Sequence, residues 1–181
     1  MKNNNLILLL AMTLILASSC APRLTPFTQD LYEDYDWSEE ELKSIQFYLS
    51  SPIVLRRAAN SGSSEIISGK IKMINGREME EVVIPEKTAG VLLFQPKTNR
   101  FAVSFEDGGK DRYLMFGPNP KQNEKFVLLA SDWEKSQGKV SYEGKTWTTP
   151  SRSAFASLMV DLRKIKRVSV ESRRARGRSI D

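Results

Sequence analysis

Lys70-Ile71-Lys72-Met73-Ile74-Asn75-Gly76-Arg77-Glu78-Met79-Glu80-Glu81-Val82-Val83-Ile84 reads as two extended segments meeting at Asn75-Gly76. Asn-Gly is the strongest short hairpin signal, because both central residues of a type I′ turn need positive φ. The same grammar runs outward from it. After Pro52 the chain falls into short runs rich in Val, Ile, Phe and Tyr, separated by Gly, Asn, Asp and Pro. Phe101, Val103 and Phe105 alternate with Ala102, Ser104 and Glu106, which predicts a strand with one buried face and one small or polar face. Glu106-Asp107-Gly108-Gly109 then turns the chain toward a strand over 113–116. Further strands are expected at 91–94, 126–130, 139–142 and 145–148, the last two joined across Glu143-Gly144. Turn signals spaced by about ten residues predict a mainly β domain, an antiparallel barrel or small sandwich. Residues 157–162 and 165–170 read as final strands, although 154–162 also fits a short helix.

One helix is expected ahead of the strands. Ser38 and Glu41 have capping-box spacing, and Trp37 with Leu42 forms a hydrophobic staple. Leu42, Ile45 and Leu49 recur on one helical face, and Ser51-Pro52 ends the run. Trp37 and Tyr48 are read as packing aromatics rather than ligand-stacking ones. Pro22, Pro26 and the acidic and tyrosine residues between 20 and 36 suit an extended tether. The chain thus divides into a leader (1–19), a tether (20–36), a helix-plus-β domain (37–171) and a basic tail (172–181) in which no apolar period survives.

The net charge of +5 is unevenly placed. From Leu162 to Asp181 eight Lys or Arg, including Arg173, Arg174, Arg176 and Arg178, face only Glu171 and Asp181, whereas residues 20–161 carry eighteen basic and twenty acidic side chains. The body is near neutral and the C-terminal run is the cation. That run suits an anionic lipid surface, an acidic envelope partner, or simple solvation.

Lys2 and the apolar run from Leu6 to Ala17 have the proportions of a secretory signal, about a dozen apolar residues where a membrane span needs roughly 20. The run ends in Leu16-Ala17-Ser18-Ser19-Cys20. This stretch resembles the lipobox of bacterial lipoproteins, with Ala17 where that family prefers Leu. The resemblance implies cleavage before Cys20, diacylglycerol on its sulfur, and a palmitate-type acyl chain on its amino group. Membrane attachment would then be through covalent lipid. Ala21 in place of Asp implies outer-membrane sorting in the enteric pattern, and Ala21-Pro22-Arg23 lacks the acidic run that marks surface display in some Bacteroidota lipoproteins. A periplasm-facing outer-membrane position is therefore expected. Trp37-Ser38-Glu39-Glu40-Glu41-Leu42, Gly90-Val91-Leu92-Leu93-Phe94 and Phe105-Glu106-Asp107-Gly108 are similar to segments of small uncharacterised Bacteroidota lipoproteins, a resemblance that brings no activity with it.

Several chemistries lack their residues. With no histidine there is no Ser-His-Asp or Cys-His arrangement, and a lipid-bearing Cys20 has no free thiol. No G-x-S-x-G, P-loop or G-x-G-x-x-G occurs, so no cofactor is expected. Zinc would have only carboxylates, and the 106–109 turn lacks the length of an EF-hand loop, so no metal is expected and a solvated turn is preferred to a calcium site. Glu106, Asp107, Asp111 and Asp132 could form a carboxylate pair only if folding brought two of them together. Gly117-Pro118-Asn119-Pro120 reads as a Pro-fixed turn, with a groove-lining loop as the alternative. Export disfavours nucleic acid as a partner. The expectation is a noncatalytic, lipid-anchored envelope module binding or assembling with another envelope protein, and its alternative is a carboxylate enzyme or ligand-binding domain for envelope glycans or peptides. Oligomeric state is left open.

Overall fold

The computed structural model describes residues 23–59, 70–74, 77–134 and 136–165. Two antiparallel sheets dominate. The first has seven strands in the order β1 (Leu24–Pro26), β13 (Leu158–Asp161), β2 (Phe47–Leu49), β6 (Ala89–Lys97), β7 (Arg100–Ser104), β8 (Leu114–Asn119) and β9 (Lys125–Leu128). The second has six: β10 (Ser131–Glu134), β11 (Gln137–Tyr142), β12 (Lys145–Pro150), β3 (Ile53–Ala58), β5 (Arg77–Ile84) and β4 (Lys70–Ile74). The mainly β expectation holds, in its sandwich form.

The seven-stranded sheet curls without closing into a barrel. The Phe126 N–H donates to the Phe27 carbonyl at 3.0 Å and the Leu128 N–H to the Ala156 carbonyl at 3.0 Å, so β9 leans back on the residue that follows β1 and the segment that leads into β13. These are single bonds and isolated bridges, not a ladder. Inside the curl Phe27, Phe47, Phe101 and Phe126 are fully buried. The Phe27 ring lies 5.3 Å from Phe47, 5.6 Å from Phe101, 5.0 Å from Phe126 and 5.9 Å from Trp37. Residues from both sheets, among them Ile53, Leu55, Val82 and Trp147, join the same core.

The hairpins follow the turn chemistry. Ile74 pairs with Arg77 across Asn75-Gly76. Tyr142 pairs with Lys145, and Glu143 and Gly144 have φ of 52° and 65°, the double positive φ of a type I′ turn.

Four expectations change. Residues 20–36 are not a tether throughout, because Leu24–Pro26 is a strand, α1 (Gln29–Tyr35) is a helix capped by Thr28, and Phe27 between them is fully buried. The domain therefore begins well before residue 37. The capping box of Ser38 and Glu41 forms, but its helix, α2 (Glu39–Lys43), spans a single turn, and Tyr48 and Leu49 belong to β2. Phe47 and Leu49 are buried while Tyr48 is half-buried, a period of two that wins once β13 and β6 supply backbone partners on both sides. On β7, Ala102 and Ser104 are buried as well as Phe101 and Val103, since Ala102 sits between Phe94 and Met115 in the register. Finally, Gly117, Pro118 and Asn119 extend β8, and only Pro120 starts a 3₁₀ turn. Phe126 opposite Pro118 sends its N–H to Phe27, so the missing Pro118 donor points away from β9, to the side where β7 pairing has ended at Phe101.

Residues 157–162 form the expected strand over Leu158–Asp161, followed by one helical turn at 162–165. The strand expected over 165–170 lies, after Ile165, outside the described residues.

Candidate functional site

The chain enters and leaves the seven-stranded sheet at one end. Leu24 is the register partner of Asp161, and Val160 of Phe47, which places Arg23, Gln46 and the chain after Asp161 at a common edge. Val91 pairs with Ser104, so the end of β7 lies level with Gln46 at the start of β2, and the loop from Phe105 to Tyr113 continues past the Ala89 end of β6, in the opposite direction. Two depressions share Gln46 there. One, of about 210 Å³, is lined by Ser44, Ile45, Asp161, Lys164 and Ile165. The other, of about 270 Å³, is lined by Ala89, Gly90, Val91, Ser104, Phe105, Glu106 and Asp107. The Gln46 side-chain amide donates to the Gly90 carbonyl at 2.7 Å. Gly90 has no room for a side chain, since a Cβ there would lie 2.6 Å from the Phe105 ring.

In the loop that follows β7, Arg112 bridges two carboxylates. Its Nε lies 2.9 Å from Glu143 Oε1, and its Nη1 lies 3.4 Å from Glu106 Oε2. The hairpin tip is fixed as well, with the Glu143 N–H donating to the Asp111 carbonyl at 2.9 Å. Burial pushes the Tyr142 phenol well above its ordinary range; Glu106 and Glu143 push the same way, and Arg112 opposes them. Tyr142 thus stays a neutral phenol over the physiological range.

The exit of the chain is pinned by Asp161. Arg163 donates to it from Nε and Nη2, both at 3.1 Å, and from its backbone N–H at 3.1 Å. These hydrogen bonds hold the Asp161 carboxyl below its ordinary value, against the opposing effect of burial.

Of the four carboxylates singled out in the sequence, only Glu106 joins a cluster. Asp107 rims the larger depression, Asp111 contributes its backbone carbonyl, and Asp132 sits on β10 at 3.6 Å from Lys139. The carboxylate that does face Glu106 is Glu143, and Arg112 stands between them. Sequence reading identified Glu143 only as half of a turn, because nothing local links a hairpin tip to the 106–112 loop. Trp37 is buried against Phe27 and Tyr35, a packing position. Among the described residues no three Asp, Glu, His or Cys are grouped to hold a metal ion, and no helix is long and apolar enough to cross a membrane. Cys20 and Arg173, Arg174, Arg176 and Arg178 lie outside the described residues.

Fold and site define a class no narrower than a mainly β, two-sheet domain whose chain enters and leaves its larger sheet at one end. No family model matches the chain, and neither a curated protein nor a solved structure matches it.

Proposed function

We propose that the chain is a lipid-anchored, noncatalytic envelope protein, held on the outer membrane through Cys20, facing the periplasm, and working by binding or assembling with another envelope protein. The observation that carries this reading is the distance in sequence from Cys20 to the fold: β1 begins at Leu24, four residues later. A segment of that length spans about 14 Å at most, which suits a domain seated directly on its anchor. Support for a binding rather than a catalytic role comes from the core. Phenylalanine rings fill the curl of the large sheet, and Glu106 and Glu143 are each committed to Arg112. A carboxylate pair for glycan or peptide chemistry would need a free acid and a free base facing one cleft.

The tests are direct. Labelling cells with a palmitate analogue should mark the protein, and Cys20→Ala should abolish the label and release the domain from the membrane fraction. A photo-crosslinker at exposed Phe94, which packs on Tyr113 beside exposed Val91, should capture one specific envelope protein in intact cells. Unlabelled protein would refute the anchor, and crosslinks spread over many abundant proteins would refute the assembly role.

A further inference from the structure

The seven-stranded sheet buries side chains on both of its faces. Phe101, Val103, Leu114 and Phe116 belong to the common core, whereas Ala102 and Val127, also buried, stand outside it. Strand alternation puts these two on the outer face. There the register aligns Phe94, Ala102 and Met115, and the Leu129 N–H donates to the Met115 carbonyl at 2.8 Å. One step along the strands Val91 lies opposite Ser104, and the Tyr113 ring sits 5.0 Å from Phe94. Val91 and Phe94 stay exposed, so this apolar belt has no covering layer among the described residues.

The charges that border the belt have opposite signs at its two ends. Toward the β6–β7 turn, Lys97 is the register partner of Arg100, whose guanidinium lies over Gly117. Like charges facing each other across a strand pair repel, and neither cation has an ion-pair partner among the described residues. At the other end Glu106 and exposed Asp107 rim the depression beside Val91. Arg100 and Glu106 each lie three positions from Val103.

We propose that two copies of this chain pair face to face through the outer surface of β6, β7 and β8, about a twofold axis that crosses the strands at Val103. The proposal rests on the assembly reading and names the partner as the chain itself. A twofold contact requires a surface complementary to itself. Rotation about this axis reverses strand direction, so Phe94 of one copy meets Val91 of the other, Met115 meets Tyr113, and the Lys97–Arg100 end meets Glu106 and Asp107. Aligned sheets pack their faces in this manner. An anionic lipid surface would satisfy the cations and leave the acidic end facing its own sign. Four strands about 4.8 Å apart and six residues rising about 3.3 Å each give a patch of about 14 by 20 Å, the small end of specific interfaces, so the pairing is weak.

The test reverses the charges. Two differently tagged full-length copies are co-expressed and crosslinked briefly with formaldehyde in intact cells; one tag is purified and the other is measured. Wild-type copies should be recovered together. Arg100→Glu with itself, and Asp107→Lys with itself, should each lower recovery about tenfold, because the substituted position then faces its own sign. Arg100→Glu co-expressed with Asp107→Lys should restore most of the recovery, since each substituted position again faces the opposite charge, and a variant that failed to fold would not be rescued. Wild-type copies that do not co-purify overturn the proposal, as do like pairs recovered as well as wild type or a mixed pair recovered no better than the like pairs. A photo-crosslinker at Phe94 that captures one different envelope protein overturns it and leaves the assembly reading standing; crosslinks spread over many abundant proteins overturn both.

Discussion

The two sheets of the domain are held together by different means. Against the seven-stranded sheet an aromatic cluster gathers around Phe27, which touches Tyr32, Trp37, Phe47, Phe101 and Phe126 among buried Leu and Val side chains. In the six-stranded sheet, β3 and β5 pair Ile53, Val54 and Leu55 with Ile84, Val83 and Val82, then change to Arg56 opposite Glu81 and Arg57 opposite Glu80. Both ion pairs are short, at 2.8 and 2.6 Å, and Arg57 also lies over the Trp147 ring at 5.1 Å. The seam between β12 and β3 leans on hydroxyls, with Thr148 and Thr149 donating to the Arg56 and Val54 carbonyls at 2.9 Å. Apolar burial is roughly proportional to area and indifferent to direction, whereas charged cross-strand pairs add little energy and much register. Both sheets therefore share the apolar core that carries stability, and the second adds charged and hydroxyl contacts that carry register.

That contrast can be broken most forcefully at Phe27. Phe27→Ala should destabilise the domain by about 3–5 kcal/mol, because the cavity lies among rings that cannot collapse into it; chemical denaturation would read the loss. Gly90→Ala comes next, at about 1–3 kcal/mol, as its methyl group meets Phe105 and the Ser104 carbonyl. Adding Phe105→Ala should recover part of that cost, a non-additivity that denaturation of the four variants would measure. In the second sheet Glu81→Gln should cost about 1 kcal/mol, between an exposed ion pair and a buried charged hydrogen bond, since Arg56 is 32% exposed and keeps water as a partner. A larger loss at Glu81 than at Phe27 would contradict the primacy of the apolar core over the charged pairs.

The smallest effect is one of pH, where the sheets meet the polar loop. The Tyr142 phenol is raised in the folded protein, so its contribution to stability is complete below its ordinary value of 10.0 and is lost as the pH climbs above it. Thermal unfolding followed upward from pH 9 should show a falling Tm that is shallower in Tyr142→Phe. An unchanged slope would mean that neither burial nor the Glu106 and Glu143 charges raise the Tyr142 phenol.

What was legible in the sequence was largely what is local. Turn residues with a backbone reason, Asn75-Gly76 and Glu143-Gly144, marked hairpins that form, and the Ser38–Glu41 capping box forms with both of its hydrogen bonds. Where a short apolar run fitted two periods, tertiary pairing decided. Leu42, Ile45 and Leu49 fit a helical face, yet Leu49 reaches the core on a strand because β13 and β6 lie on either side of it. Phe27 looked like part of a linker, since a single aromatic between two polar stretches carries no period. The Arg112 cluster was illegible for a related reason: its members come from a loop and a distant hairpin tip brought together only by the packing of the two sheets. The meeting of Leu24 with Asp161 depends on β13 returning to the first strand, which no local pattern encodes.

The central claim is that the chain enters and leaves its fold at a membrane-facing end, with Cys20 as the attachment. The most direct test is the intact mass of the mature protein taken from cell membranes. The account predicts a chain beginning at Cys20 and heavier than its sequence by a diacylglycerol group and an amide-linked acyl chain. A mature chain of unmodified mass, or one that begins elsewhere, would contradict it.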